Sequence, residues 1–390
     1  MPPQKDTSHK LLKSINQQKV LQLIYMSGSI SRVELAQKTG LSQQTITNIV
    51  NRLLEEGVVS EGEHLPLEAG SGRKRIQLSV NATGFYVIGI ELAGKYIRGS
   101  LFDFRPELLY STERRAEKYH GSEHLLRLLS EVVEELLRQA PDVSRTRGIG
   151  ISVQGLADSR EGMLLRTPGI GFERIPVKAM LESKFGLPVY LENDANLLAL
   201  NENMNGSLSD SSENITLKFD YGIGGAIVSG NRLITGSTFV AGEFGHVKAF
   251  TGRDSHPCLC GGSGCLTTLL SISGLGVTMG YTLDGFARAY HGGDEEVVRL
   301  YGAMIDALAM ALSNLVTFLN PDRVLLTGRV LTAIQGDFLP ILTEKVKSNV
   351  PQTSRDVKLI YLERMPDETK LAARLVLKHV FDVPLETLGI

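Results

Sequence analysis

Gly242-Glu243-Phe244-Gly245-His246 and, twelve residues after that histidine, Cys258-Leu259-Cys260-Gly261-Gly262-Ser263-Gly264-Cys265 carry the strongest chemistry in the chain. One histidine and three cysteines make a complete Cys3His set, the ligand count of a closed tetrahedral zinc site. The glycines let the backbone wrap around an ion. His256, two residues before Cys258, is the alternative histidine, and the motif around His246 favours the latter. All three cysteines of the 390 residues lie between 258 and 265. That excludes a disulfide framework and makes a reduced metal site the expectation. Four protein ligands leave no open coordination position, so Zn2+ on His246, Cys258, Cys260 and Cys265 is expected to be structural.

Working outward, Glu192-Asn193-Asp194-Ala195-Asn196 follows the strand-like Pro188-Val189-Tyr190-Leu191 and opens a helix. Polar residues at the carboxyl end of a strand in an α/β protein point to where ligands bind. Asn193 and Asp194 can grip sugar hydroxyls, and an aspartate can act as general base. The plainer alternative is a helix N-cap. If His246 gives one ring nitrogen to zinc, the other can face a ligand, and Glu243 adds a carboxylate there.

Apolar strand-like runs recur at 86–90, 99–104, 148–153, 189–191, 215–219, 226–228, 324–326 and 359–361, with helical segments at 123–138, 178–185 and 297–319. Some strands read as consecutive hairpins (86–92 with 97–104, 215–219 with 225–229). The pattern predicts α/β lobes with partly antiparallel sheets. Composition is that of an ordinary globular chain, 42% apolar and 22% charged. No run reaches the ~18 uninterrupted apolar residues of a membrane helix, and residues 1–19 lack a signal-peptide core. A cytoplasmic protein with no membrane partner is expected.

The charge is uneven. Residues 1–80 carry ten basic and seven acidic groups, net +3, against −5 for the remainder. Three helical patterns precede residue 57. The first spans roughly 16–26. The second opens with Ser31-Arg32-Val33-Glu34, a capping box, and stops at Thr39-Gly40. The third starts at the N-cap Ser42, and its Ile46, Ile49, Val50, Leu53 and Leu54 line one buried face. Its other face holds Gln43, Gln44, Thr45, Thr47, Asn48, Asn51 and Arg52, with no acid from Leu41 to Leu54. Such a face can approach phosphates and bond base edges. Helix, glycine turn, helix is the helix-turn-helix arrangement. Strands near 57–60 and 76–78 flank a loop ending in Arg73-Lys74-Arg75, a wing suited to the minor groove or the phosphates. Ser42, Gln43, Gln44, Thr45, Thr47, Asn48, Arg52, Arg73, Lys74 and Arg75 are the expected contacts to double-stranded operator DNA.

ENDAN at 192–196, GEFGH at 242–246 and CLCGGSGC at 258–265 resemble the ROK family of repressors, open reading frames and sugar kinases. The resemblance covers nearly the whole chain. The N-terminal winged helix is similar to that of the family's xylose, glucose-responsive and N-acetylglucosamine repressors. The resemblance implies an α/β fold: a winged helix-turn-helix (1–80) plus a two-lobed, actin-like sugar-kinase fold (81–390) for ligand binding and oligomerisation. It implies sugar contacts from Asn193, Asp194, Glu243 and His246, and zinc on the Cys3His set.

The chain departs from the kinase members at three nucleotide elements. The first phosphate loop, Asp-x-Gly-Gly-Thr in kinases, reads Glu91-Leu92-Ala93-Gly94-Lys95. The second, Gly-Thr-Gly in kinases, reads Asp220-Tyr221-Gly222, and the late Gly-Gly reads Thr327-Gly328-Arg329. These changes make ATP binding unexpected and Asp194 a ligand contact rather than a base. Thr267 replaces a family glutamate that contacts sugar. Thr167-Pro168-Gly169-Ile170-Gly171-Phe172 replaces a Gly-Trp loop in a chain without tryptophan. The expected protein is a sugar- or sugar-phosphate-responsive repressor of carbohydrate genes, with no catalytic residues. A homodimer or homotetramer would match a pseudo-palindromic operator. A sugar kinase with a DNA-binding appendage is the alternative, and regulation by a protein partner is a third reading.

Overall fold

The first helix, α1 (Lys5–Ser27), begins eleven residues before the expected span. Strand β1 (Ile30–Ser31) follows. In α2 (Arg32–Thr39) the capping box forms: Ser31 Oγ accepts from the Glu34 amide at 3.3 Å, and Glu34 Oε2 accepts from the Ser31 amide at 2.9 Å. Gly40 ends it at φ 73°, the left-handed conformation that a side chain would strain. Helix α3 (Gln43–Glu55) starts at Ser42, whose Oγ accepts from the Thr45 amide at 3.1 Å. Strands β2 (Val59–Glu61) and β3 (Gln77–Val80) complete an antiparallel sheet ordered β1-β3-β2. This computed structural model describes residues 5–62, 76–171, 174–334 and 338–381. Arg73, Lys74 and Arg75 of the expected wing lie outside the described residues.

The chain divides into two compact units, Met1–Glu192 with Glu368–Ile390, and Asn193–Asp367. In the first, β4 (Tyr86–Leu92), β5 (Tyr96–Asp103) and β6 (Leu108–Arg115) form an antiparallel meander. Strand β7 (Thr146–Val153) pairs parallel to β4. A small hairpin, β8 (Leu156–Asp158) with β9 (Met163–Arg166), follows, and β10 (Val189–Asn193) completes the main sheet in the order β10-β7-β4-β5-β6.

Helix α4 (Ser122–Gln139) lays Leu125, Leu129, Val132 and Leu136 on one face of this sheet. A Cβ on Gly99 would fall 2.4 Å from Val132 Cγ1. The helix Glu368–Phe381 covers the other face, where Thr369 Oγ1 donates to Ser100 at 2.9 Å. Its backbone touches the strands directly. A Cβ on Gly89 would lie 1.8 Å from the Thr369 carbonyl oxygen, and one on Gly150 would lie 1.9 Å from that of Ala372.

The same helix joins the head. Val20 and Ile24 of α1, Ile46 and Val50 of α3, Phe85, Phe102 and Phe104 share one core with Ala373, Val376, Leu377 and Phe381. Tyr25 packs on Phe104 at 5.7 Å and on Phe381 at 5.1 Å between ring centroids.

In the second unit, α5 (Val177–Phe185) having closed the first, α6 (Asp194–Asn205) lies on a sheet of β11 (Glu213–Phe219), β12 (Ile223–Ser229), β13 (Arg232–Leu233), β14 (Arg323–Thr327) and β15 (Lys358–Leu362). The order is β13-β12-β11-β14-β15, with β11–β12 antiparallel and β11–β14–β15 parallel. The helix Glu295–Leu319 is long and apolar enough, by length and composition, to cross a membrane. Its Met304, Leu308, Leu312 and Val316 are buried in the core with Leu217, Phe219 and Leu326, as in the central helix of a globular unit.

Two glycines give opposite expectations in urea unfolding. Gly150→Ala forces a methyl into a helix carbonyl and is expected to destabilise by about 1–3 kcal/mol or more. Gly302→Ala, on the exposed side of Glu295–Leu319 where a Cβ meets nothing within 4 Å, is expected to stabilise by about 0.5–1 kcal/mol.

Candidate metal centre and ligand-binding face

His246 ends a short turn, Phe244–His246, and Cys258, Cys260 and Cys265 lie on the loop that follows. Gly264, at φ 68°, lets that loop double back: a Cβ there would sit 2.3 Å from the Phe250 carbonyl oxygen. The four ligand atoms all lie within 4.8 Å of one another. His246 Nδ1 is 3.6 Å from Cys258 Sγ, and Cys260 Sγ is 3.6 Å from Cys265 Sγ. A tetrahedron with ~2.3 Å bonds has edges of about 3.8 Å, so the donor set fits a tetrahedral ion. The thiols differ. Burial pushes Cys258 up to about 11, whereas the Gly262 amide, followed by the neighbouring thiols, holds Cys260 down to about 7. Holding all three sulfurs as thiolates would take a cation. Lys248, which sequence reasoning missed, donates to Cys265 Sγ at 2.7 Å and lies 3.8 Å from Cys260 Sγ.

With Nδ1 turned to the sulfurs, the Nε2 atom of His246 faces Glu243 Oε2 at 3.7 Å, and both side chains are 40% exposed. The geometry thus brings these two expected ligand residues together. Thr267 is beside them, its Cβ 3.4 Å from where a Cβ on Gly245 would stand.

Asp194 reaches the β11–β12 hairpin from the other side, next to the helix cap made by Asn193. A Cβ on Gly224 of β12 would meet Ala195 at 3.3 Å and Asp194 Oδ1 at 4.0 Å, while one on Gly225 would meet Phe244 and the Gly242 carbonyl. Asn193 Oδ1 accepts from the amides of Ala195 and Asn196 at 2.9 and 3.1 Å. That oxygen is therefore the N-cap of α6. Asp194 Oδ2 accepts from Lys218 Nζ at 2.8 Å. No motif marked Lys218. The signal available was the alternation Asn214, Thr216, Lys218 along β11, a polar stripe on one face of a buried strand.

The three departing loops are occupied by their own side chains. Glu91, 3% exposed, accepts from Tyr96 Oη at 2.6 Å, Arg98 at 2.8 Å and Gln154 at 3.0 Å. Asp220 accepts from Arg329 through Nε at 2.7 Å and through Nη2. Tyr221 stands half exposed beside it. Thr167–Gly171 belongs to the first unit, where a Cβ on Gly94 would strike the Pro168 carbonyl at 2.1 Å.

On α3, Ser42, Gln43, Gln44 and Asn48 are exposed, while Thr45, Thr47 and Arg52 are half-buried. Gln44 Nε2 donates to Asn48 Oδ1 at 3.4 Å, and Thr47 Oγ1 bonds back to the Gln43 carbonyl at 2.8 Å. The Nε atom of Arg52 is enclosed without a hydrogen-bond partner.

Residues 87–367 match the ROK family, and residues 13–60 match a winged helix-turn-helix DNA-binding family. The chain belongs to the ROK family. It is 33% identical to the xylose repressor of Caldicellulosiruptor bescii over 265 residues, 68% of this chain and 65% of that protein. It thus spans just under two-thirds of that curated relative. A ROK family transcriptional regulator described as a homologue of the Escherichia coli Mlc protein superposes with a TM-score of 0.79 at 23% identity, over 95% of this chain and 97% of that one. The ROK hexokinase of Thermus thermophilus superposes with a TM-score of 0.62 at 28% identity, over 76% of this chain and all of that one. The fold is a winged helix-turn-helix joined to an actin-like sugar-kinase domain.

Loss of the Ser42 cap is expected to be selective. Ser42→Ala should destabilise the head by about 1 kcal/mol, read as faster amide exchange in α3, with exchange in β11 and β14 unchanged.

Proposed function

We propose that this ROK-family chain is a sugar-responsive DNA-binding transcriptional regulator, most simply a repressor of carbohydrate-utilisation genes. The observation that carries the reading is the face of α3: a capped helix whose exposed Gln43, Gln44 and Asn48 stand in a stretch free of acids, within a winged helix-turn-helix. Gln44 and Asn48, one turn apart, suit adenine edges in a major groove, and the positive head suits phosphates. The name of the Caldicellulosiruptor relative, xylose repressor, supports the same reading. In it, residues 1–80 bind double-stranded operator DNA, with Arg73, Lys74 and Arg75 on the wing. Residues 81–390 bind the effector through Asn193, Asp194, Glu243 and His246 and carry a homodimer or homotetramer contact. The protein works in the cytoplasm.

The chain is read as non-enzymatic. A phosphoryl donor needs small, open backbone turns, and here Glu91 and Asp220 are each engaged by arginines of the same chain. The Cys3His cluster is read as structural Zn2+ on His246, Cys258, Cys260 and Cys265, fixing the ring of His246 so that Nε2 serves the ligand side. The hexokinase likeness keeps one alternative, a sugar kinase with a DNA-binding appendage.

A gel shift on the DNA flanking its own gene, at fixed salt and with a panel of free and phosphorylated sugars, tests the reading. Specific binding that one sugar releases is expected. Gln44→Ala and Asn48→Ala should each weaken it by about 1–3 kcal/mol. Absence of specific binding, with ADP released from ATP in the presence of a sugar, would favour the kinase. Elemental analysis of the purified protein should find one zinc per chain. Cys265→Ser should lose the zinc and lower the thermal midpoint.

A further inference from the structure

Strand β11 separates two environments. Ile215, Leu217 and Phe219 enter the core beneath Glu295–Leu319, whereas Asn214, Thr216 and Lys218 lie on the opposite face, under α6. Both ends of α6 are tied to that polar face. Near its C-terminus, Asn203 and Asn214 exchange hydrogen bonds at 3.2 and 2.9 Å. At its N-terminus, Asp194 meets Lys218 at 2.8 Å, the lysine side chain 4% exposed and the aspartate 13%. An ammonium is rarely enclosed this far unless it is paired.

The two oxygens of Asp194 are not equivalent. Oδ2 holds Lys218, while Oδ1 accepts from no described residue and lies on the side of Gly224. A carboxylate accepts hydrogen bonds and donates none, so Oδ1 is complementary to a hydroxyl. The positive charge beside it is already matched by Asp194, which leaves no unmatched cation at this point for a phosphate among the described residues.

We propose that Lys218 is the positioning residue of the ligand site: its ammonium clamps Oδ2 of Asp194 and so presents Oδ1 as a fixed acceptor for a hydroxyl of an uncharged, polyhydroxylated ligand. The inference rests on the sugar-responsive reading and selects free over phosphorylated sugars within it. It also gives Lys218 a role distinct from filling the strand, because its effect on the ligand passes through Asp194.

The test uses the full-length protein as wild type, Lys218→Gln, Lys218→Met, Asp194→Asn and the Asp194→Asn/Lys218→Met double variant. Binding of D-xylose, D-glucose, N-acetyl-D-glucosamine and glucose 6-phosphate is followed by calorimetry and thermal shift. A free sugar is expected to bind the wild type. Lys218→Met should weaken it roughly 10- to 100-fold, with Lys218→Gln, which keeps a donor, in between. The double variant should bind no more weakly than Asp194→Asn alone, since without the carboxylate Lys218 has nothing to position. Full additivity of the two effects, unchanged binding in Lys218→Met, or preferential Lys218-dependent binding of glucose 6-phosphate would overturn the proposal. The ligand-free thermal midpoints form a second cycle, in which Lys218→Met should fall further below wild type than the double variant does. If no sugar binds the wild type, the sugar reading fails by itself. The midpoint cycle then still decides whether Lys218 governs Asp194, additivity again overturning it. Should Lys218→Met not fold, Lys218→Gln takes its place in both cycles.

Discussion

The contact on which the first unit depends is backbone against backbone. Helices ordinarily pack through side chains, which keep the backbones apart. Here Gly89 and Gly150 remove those side chains, and the helix Glu368–Phe381 settles onto β4 and β7 through the carbonyls of Thr369 and Ala372. That approach brings the rest of the helix within reach of the head. Its far end, with Val376, Leu377 and Phe381, becomes part of the core beneath α1 and α3. A bulkier strand surface would lift the helix, and the ring cluster of Tyr25, Phe85, Phe104 and Phe381 would lose its packing.

A second regularity is chemical. At the end of β4, at the start of α6 and after β11, the chain carries a carboxylate, Glu91, Asp194 and Asp220. Each is met by a cation of the same unit, Arg98, Lys218 and Arg329. An enclosed carboxylate without such a partner would be strongly unfavourable, and a paired one is stable only while both groups stay. These positions therefore have a self-contained charge balance. The Cys3His cluster likewise has a cation, Lys248, set against its sulfurs.

Much of this was legible in the sequence where the signal is local. The caps at Ser31 and Ser42 announce α2 and α3 because a side chain three residues away completes each bond. The two hairpins, β4–β5 and β11–β12, could be read from short apolar runs a few residues apart, and the Cys3His set from residue type and spacing. What was hidden depends on distant partners. The helix Glu368–Phe381 is buried on two sides, between sheet and head, so its apolar residues do not form a single stripe. Edge strand β6 exposes alternate polar residues and carries Leu108 and Leu109 in the open, which blurs its pattern. Lys218 looks like a surface residue until α6 is laid over it, and the engagement of Asn193 with its own helix is visible only once the cap geometry is known.

The shared core of α1, α3 and the last described helix also sets an order of events at the ribosome. Ala373, Val376, Leu377 and Phe381, which complete the core of the head, are made long after the head itself. Chains emerge at about 5–20 residues per second. For tens of seconds the head therefore exists without its floor, and a nascent or prematurely terminated chain presents an incompletely packed α3. Full packing of α3 is in this way reserved for chains translated through Glu368–Phe381.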